Sequence, residues 1–286
     1  MFIAVFTMSN TFSFSVSTAT QNAIQTQYNR ISSAKRINSA ADDAAGSAIA
    51  SRFTSQINGF NTAIRNAGDG ISLGQVADGA LSSITENLQR IRELSVQSAN
   101  GIYNDDDRLN IQKEVDALRS EVDRTLEESA FNSRKLFDGS FEATFQIGPN
   151  AGNTVELTID RLSSDNIGEK TLSENPGDTS GVLLKDLQVT SAQSSQVAIQ
   201  SIDNVLDSIS SLRAEVGAAQ NQFESTVSNL RTSEINFSES RSRIEDTDFA
   251  KSLSELTANE IREKFQLAMQ AKANSNQKQV LDLLNF

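Results

Sequence analysis

Residues 202–244 read IDNVLDSISSLRAEVGAAQNQFESTVSNLRTSEINFSESRSRI. From Ile202 the positions Val205, Ile209, Leu212, Val216, Ala219, Phe223, Thr226, Leu230, Ser233, Phe237, Ser240 and Ile244 follow at intervals of three and four without interruption. Most are apolar, so they line one narrow stripe of a helix, the pattern of a coiled-coil seam and not of a globular core helix. At ~1.5 Å per residue such a helix spans roughly 65 Å, more than the width of a small domain. A seam of that length requires a partner, and the first half of the chain offers one.

Ile49, Phe53, Ile57, Phe60 and Ile64 share one helical face. Ala77, Leu81, Ile84, Leu88 and Ile91 resume it beyond Gly68-Asp69-Gly70, which loosens the backbone without ending the pattern. Gly101, after Ser98-Ala99-Asn100, is expected to end this helix as a left-handed cap. A third helix is expected from about Asp105 to Ser129, with Ile111, Val115, Leu118 and Val122 inward. Its opening Asp105-Asp106-Asp107 has no spaced ligand loop behind it, so these acids suit a helix N-terminus and not calcium. Ahead of all this runs an arm from about Thr11 to Ile37, with Ile24, Tyr28 and Ile31 on one face and mostly Ser, Thr, Gln and Asn elsewhere. So thin an apolar face does not offset chain entropy by itself. A break follows at Asn38-Ser39, with Ser39 and Asp42 spaced as a capping box.

Between the helical halves the period drops to two. Phe141, Ala143, Phe145 and Ile147 alternate, Pro149 to Asn153 reads as a turn, and Val155, Leu157 and Ile159 alternate again, which predicts a β-hairpin. The stretch from Asp160 to Thr190 is turn-rich, weakly patterned and too short to fold alone. The seam helix begins near Ser191, and Glu245-Asp246-Thr247-Asp248 reads as a second break and cap. A last helix carries Phe249, Leu253, Leu256, Ile261 and Phe265, and ends in the apolar tail Val280-Leu281-Asp282-Leu283-Leu284. The two breaks lie at similar distances from the ends, so the chain is expected to fold back on itself with its terminal helices paired. The fold class is therefore mainly α: a long antiparallel helical bundle or coiled coil with a small central β-hairpin region. The expected organisation pairs residues 1–40 with 246–286 as terminal helices. Residues 41–245 then form a helical rod, with the hairpin at about 137–160 and a short variable loop at about 160–190.

Composition narrows the function. The 286 residues contain no His, Cys or Trp and only two prolines, Pro149 and Pro176, both in the middle. Without His or Cys there is no Ser-His-Asp or Cys-His nucleophile, no zinc site of the usual ligands and no disulfide. No cofactor or metal is expected. A net charge of -12 argues against nucleic acid as a partner. No apolar run approaches the ~20 residues of a membrane span. The opening Met1-Phe2-Ile3-Ala4-Val5-Phe6-Thr7 is short, has no basic leader and makes a poor signal peptide, and Met8 is the expected start. Asn236-Phe237-Ser238 is a sequon placed in the seam helix, where sugar attachment is not expected.

Three blocks carry a resemblance. They are Arg36-Ile37-Asn38-Ser39-Ala40-Ala41-Asp42-Asp43-Ala44-Ala45-Gly46, the run from Asn87 to Gly101 (NLQRIRELSVQSANG), and Ser240-Arg241-Ser242-Arg243-Ile244-Glu245-Asp246-Thr247-Asp248-Phe249-Ala250. In this order they resemble bacterial flagellin in a short form without large outer domains. Phe131-Asn132, Lys135-Leu136-Phe137-Asp138-Gly139 and Phe145-Gln146-Ile147-Gly148 follow the same pattern. Departures are Asn10-Thr11-Phe12 at the start, Ser33-Ala34-Lys35 where the family commonly has Ser-Gly-Leu, and Phe265, Lys272 and Lys278 in the last helix.

The resemblance implies a structural subunit, not an enzyme, that polymerises into the extracellular flagellar filament used for swimming. It implies a helical homopolymer in which Ile24, Tyr28, Ile31, Phe249, Leu253, Leu256, Ile261, Phe265, Val280, Leu281, Leu283 and Leu284 pack the termini. It further implies type III export, an export chaperone on residues 245–286, and contacts with filament cap and junction proteins. A flagellin-sensing Toll-like receptor is expected to read Gln89, Arg90, Glu93, Leu94 and Glu114, with Arg90 and Leu94 on one helix face. The rival readings are a hook–filament junction protein, which shares the terminal architecture, and an intracellular coiled-coil scaffold. A flagellin with an inserted zinc protease would need a His-Glu-x-x-His helix, which a chain without His cannot supply.

Overall fold

In the computed structural model of the chain the backbone is described for residues 2–163 and 183–284, and side chains for 18–163, 183–276 and 278–279. The elements run α1 (Phe2–Ser33), α2 (Ala44–Ala99), α3 (Asp105–Glu128), β1 (Ala130–Phe131), β2 (Arg134–Lys135), β3 (Glu142–Gln146), β4 (Thr154–Thr158), a 3-10 turn at Leu184–Asp186, α4 (Ala192–Glu245) and α5 (Phe249–Leu284). The chain is mainly α, as its periodicity requires. Contacts divide it into two compact units, Asn58–Glu234 and Met1–Ile57 with Ile235–Phe286.

Within Asn58–Glu234 the seam of α4 is satisfied by α2. The two run antiparallel: Arg92 meets Asp203 at 2.6 Å and Asp78 meets Arg213 at 2.8 Å. Leu81, Ile84, Leu88 and Ile91 from α2, Val115 and Val122 from α3, and Ile202, Val205, Ile209 and Val216 from α4 belong to one buried cluster. Gly70 lies at a close approach of this pair, since a Cβ there would sit 2.8 Å from the Phe223 ring. The Gly68-Asp69-Gly70 segment therefore does not loosen the helix but lets an aromatic ring rest against it, and α2 runs through unbroken.

The predicted hairpin forms, with Phe145 opposite Val155 and Ala143 opposite Leu157. Gly152, at φ 85°, makes the turn. The edge of Phe145 meets the Phe223 ring at 5.2 Å between centroids. A second, two-residue hairpin, β1–β2, was not legible in the sequence. Its turn residues Asn132 and Ser133 both have positive φ, at 50° and 65°. The weakly patterned segment also contributes more than expected, because Leu184, Leu187 and Val189 are buried in the core. Side chains tie it down: Gln112 takes the Val189 amide at 2.7 Å, and Arg119 donates to the Lys185 carbonyl at 2.7 Å. Most of the expected variable loop, residues 164–182, lies outside the described residues.

Three expected helix ends differ. α1 stops at Ser33, before Ile37, because Ala34 turns left-handed at φ 57°. Ser39 and Asp42 do not cap α2. Asp42 instead closes the preceding turn by accepting from the Asn38 and Ser39 amides at 3.0 and 2.8 Å, and Asp43 caps the helix through the Gly46 amide at 2.8 Å. Gly101 is no left-handed cap, since among the described glycines only Gly139 and Gly152 have positive φ. The end of α2 is closed by Arg108, whose guanidinium donates to the carbonyls of Ser98 and Asn100. At α3 the acids behave as expected: Asn104 caps the helix, with Asp107 completing a capping box.

Candidate assembly surface

In the unit formed by Met1–Ile57 and Ile235–Phe286, α1 and α5 lie antiparallel. Gln27 donates to Glu255 at 2.8 Å, Tyr28 to Glu260 at 2.9 Å and Gln21 to Glu263 at 3.3 Å. The covered positions of α5 are Ser252, Glu255, Leu256, Asn259, Glu260, Glu263, Gln266 and Gln270, and only one of these is apolar. On α1, Ile24 and Ile31 are half-buried and Gln27 is buried. Gln27 Oε1, Arg30 Nε and Gln266 Oε1 are buried without a hydrogen-bond partner among the described residues. Each such orphan costs about 1–3 kcal/mol. This seam is polar and incompletely satisfied.

The apolar residues of α5 lie mostly elsewhere. Ile261, Phe265 and Met269 recur every four residues on the side turned from α1, and are 62%, 65% and 56% exposed. Phe249, Leu253 and Leu267 are exposed as well. Of the residues expected to pack the termini, then, Leu256 is buried and Ile24 and Ile31 are half-buried within the subunit, while Phe249, Leu253, Ile261 and Phe265 face outward and Tyr28 is half-exposed. The side chains of Val280, Leu281, Leu283 and Leu284 lie outside the described residues. Leu267 and Met269 extend the exposed set beyond the expected packing residues: Leu267 stands five whole helical turns from Phe249, and Met269 continues the four-residue interval of Ile261 and Phe265.

A clasp joins the turn after α1 to the turn before α5. Lys35 and Asp246 form an isolated antiparallel bridge. The Arg36 amide donates to the Glu245 carbonyl at 2.6 Å, and the Thr247 amide to the Ala34 carbonyl at 3.1 Å. Lys35 and Glu245 pair at 2.6 Å. Nearby, the edge of Phe53 meets the Phe237 ring at 5.4 Å between centroids, and a groove of about 550 Å³ is floored by Ile37 and Ala50. The clasp is made mostly of backbone groups, so no side-chain pattern announces it; the signal was Ala34 itself, standing where the family commonly has glycine.

The second candidate surface lies in the unit Asn58–Glu234. Arg90 forks onto Glu114 through Nε and Nη2, at 3.2 and 2.9 Å, and reaches Glu93 at 3.1 Å. Its guanidinium is held above the usual arginine range, first by the Glu114 hydrogen bonds and then by that of Glu93. Gln89, Arg90, Glu93 and Glu114 are all exposed. Leu94 is not on this face: it is 3% exposed and belongs to the core. Four residues on from Arg90, it packs into the core cluster beneath this surface.

Among the described residues no helix is long and apolar enough to cross a membrane. Residues 7–142 match the bacterial flagellin N-terminal helical region and residues 199–284 the bacterial flagellin C-terminal helical region. The chain is 37% identical over 270 residues to a flagellar filament 30.7 kDa core protein of Treponema maltophilum, covering 92% of both. It is also 37% identical over 286 residues to a flagellin of Bacillus subtilis (strain 168), covering 92% of this chain and 93% of the relative. A solved Vibrio parahaemolyticus chain assigned to the flagellar hook-associated proteins superposes with a TM-score of 0.58 over 72% of this chain and all of its own, at 13% identity, which is a likeness of fold alone. The three sequence blocks, the fold-back of the termini and the match along nearly the whole of two filament proteins converge, and the chain belongs to the bacterial flagellin family.

Proposed function

We propose that this flagellin, a structural subunit of the bacterial flagellar filament and not an enzyme, polymerises through the outward face of α5. The observation that carries this is the exposed stripe of Ile261, Phe265 and Met269 beside an under-satisfied α1–α5 seam. Burial of such a face on neighbouring subunits supplies what the helix pair lacks alone, at ~25 cal/mol per Å² of apolar surface removed from water. Residues 1–40 and 246–286 then form the inner filament core and 41–245 the rod around it. Export unfolded through the type III channel, a chaperone covering residues 245–286 until assembly, and contacts with cap and junction proteins belong to the same reading. So does an extracellular filament. The test is Ile261→Ser with Phe265→Ser: the monomer keeps its helical content and unfolding midpoint but no longer sediments as filaments. Normal filaments from this variant would sink the proposal.

A second reading concerns released monomer. Gln89, Arg90, Glu93 and Glu114 offer a charged, solvent-facing surface for a flagellin-sensing Toll-like receptor, with Leu94 holding the helix beneath it. Because solvent-exposed ion pairs add little to stability, Arg90→Ala leaves the fold intact and should weaken receptor activation; an unchanged response would refute it.

A further inference from the structure

The sequence contains two Asn-Gly pairs, Asn58-Gly59 and Asn100-Gly101. They sit in opposite environments. Asn58-Gly59 lies well inside α2, and the Gly59 face is covered closely enough that a Cβ would sit 2.6 Å from Pro149. Asn100-Gly101 follows the last residue of α2, and both residues are exposed. Nothing lies within 4 Å of where a Gly101 Cβ would be. Its amide has no acceptor among the described residues. The Ile102 amide donates to Asn100 Oδ1 at 3.3 Å, which folds the side chain forward over the Gly101 amide and polarises the carbonyl carbon Cγ.

We propose that Asn100 is a site of spontaneous deamidation and isomerisation in the folded subunit. The Gly101 backbone nitrogen attacks Asn100 Cγ as its proton is lost to water. The Cγ–Nδ2 bond breaks, and ammonia leaves. Water then opens the resulting succinimide at either carbonyl, giving aspartate or isoaspartate, with no oxidant or enzyme required. Asn58 is protected, because the helix engages the Gly59 amide in its i→i−4 bond and holds it away from the side chain. Asn38-Ser39 is protected differently: its turn is exposed, but the Ser39 amide donates to Asp42 at 2.8 Å. Isoaspartate would lengthen the backbone by one carbon at Asn100. Its carbonyl, which accepts from Arg108 at 3.1 Å and from the Tyr103 amide at 3.4 Å, would move, loosening the end of α2.

The test is tryptic mapping of the purified full chain after ageing in mildly alkaline buffer, folded and in urea. Asn58 falls in the peptide 53–65 and Asn100 in 93–108, bounded by Arg52, Arg65, Arg92 and Arg108. In the folded chain Asn100 should gain one mass unit, as a mixture of aspartyl and isoaspartyl forms, while Asn58 stays unchanged; in urea both should convert. Gly101→Ala, which fits the open space and the negative φ at this position, should lose the gain at Asn100. The proposal is overturned if Asn100 is unchanged in the folded chain, if Asn58 converts there as fast, or if Gly101→Ala converts at the parental rate.

Discussion

The two compact units are built from the same kind of antiparallel helices and differ in what they do with apolar surface. In Asn58–Glu234, Leu81, Ile84, Leu88 and Ile91 are fully buried against α3 and α4. In the terminal unit the helix pair turns polar residues toward each other and leaves Ile261, Phe265 and Met269 outside. The first arrangement is stable because its hydrophobic stripe finds a partner within the chain. The second, on the proposed function, defers that burial to neighbouring subunits. A filament subunit must fold enough to be specific yet remain incomplete enough to associate, and here the two demands fall on different segments.

The largest expected effect tests the sealed unit. Leu88→Ala removes a fully buried side chain and should cost about 2–5 kcal/mol in urea unfolding of the monomer. Truncating the exposed Phe265 should change that figure by no more than about 0.5 kcal/mol. Comparable losses from the two would erase the distinction between the units. Next come the glycines. Gly70→Ala pushes a methyl into the Phe223 ring at 2.8 Å and should cost ~1–3 kcal/mol. Two residues earlier, Gly68→Ala enters open space and should gain up to about 1 kcal/mol from helix propensity. Equal effects would mean the α2–α4 approach is looser than its geometry.

Much of this was legible in the sequence because period is a strong signal. The seam of α4 and the run from Leu81 to Ile91 are long enough that their partners follow almost by elimination, and the hairpin shows itself by alternation around Gly152. What escaped is short or non-periodic. β1–β2 depends on two left-handed residues, Asn132 and Ser133, that no pattern demanded. Leu184, Leu187 and Val189 pack as irregular backbone tied by Gln112 and Arg119, so their burial follows no repeat. At the candidate surfaces the sequence gives residue types but not which side of a helix each one faces. Leu94 and Phe265 are both apolar; one is in the core and the other in solvent. Only the packed partner decides that.

A smaller effect sharpens the terminal unit from within. Ala34 holds φ 57°, a conformation costing an L-residue roughly 1–2 kcal/mol. Glycine tolerates it freely but loses more chain entropy on folding, ~0.5–1 kcal/mol relative to alanine in regular structure. Ala34→Gly should therefore steady the clasp by up to about 1 kcal/mol, seen as slower hydrogen exchange at the Arg36 and Thr247 amides. Faster exchange there would show that the left-handed turn is not strained.

The smallest effects are electrostatic, and they separate by pH. The Tyr28 phenol is held above its ordinary value, first by its hydrogen bond to Glu260 and then by that carboxylate's charge. A raised value in the folded chain means the contribution is complete below the ordinary tyrosine value of about 10 and is lost as pH rises through the folded one. Asp42 is held below its ordinary value, first by the Ser39 amide, then by the Asn38 amide and the Ser39 hydroxyl. Its contribution is present above about pH 3.9 and disappears as pH falls through the lower folded value. Alkali should thus loosen the α1–α5 pair and acid the turn before α2, with neither acting near neutrality. The chain has only two tyrosines, so the phenolate absorbance of the parent minus that of Tyr28→Phe isolates the Tyr28 titration. A midpoint at or below the ordinary tyrosine value would show that the hydrogen bond to Glu260 does not hold in solution, and with it the register of the helix pair.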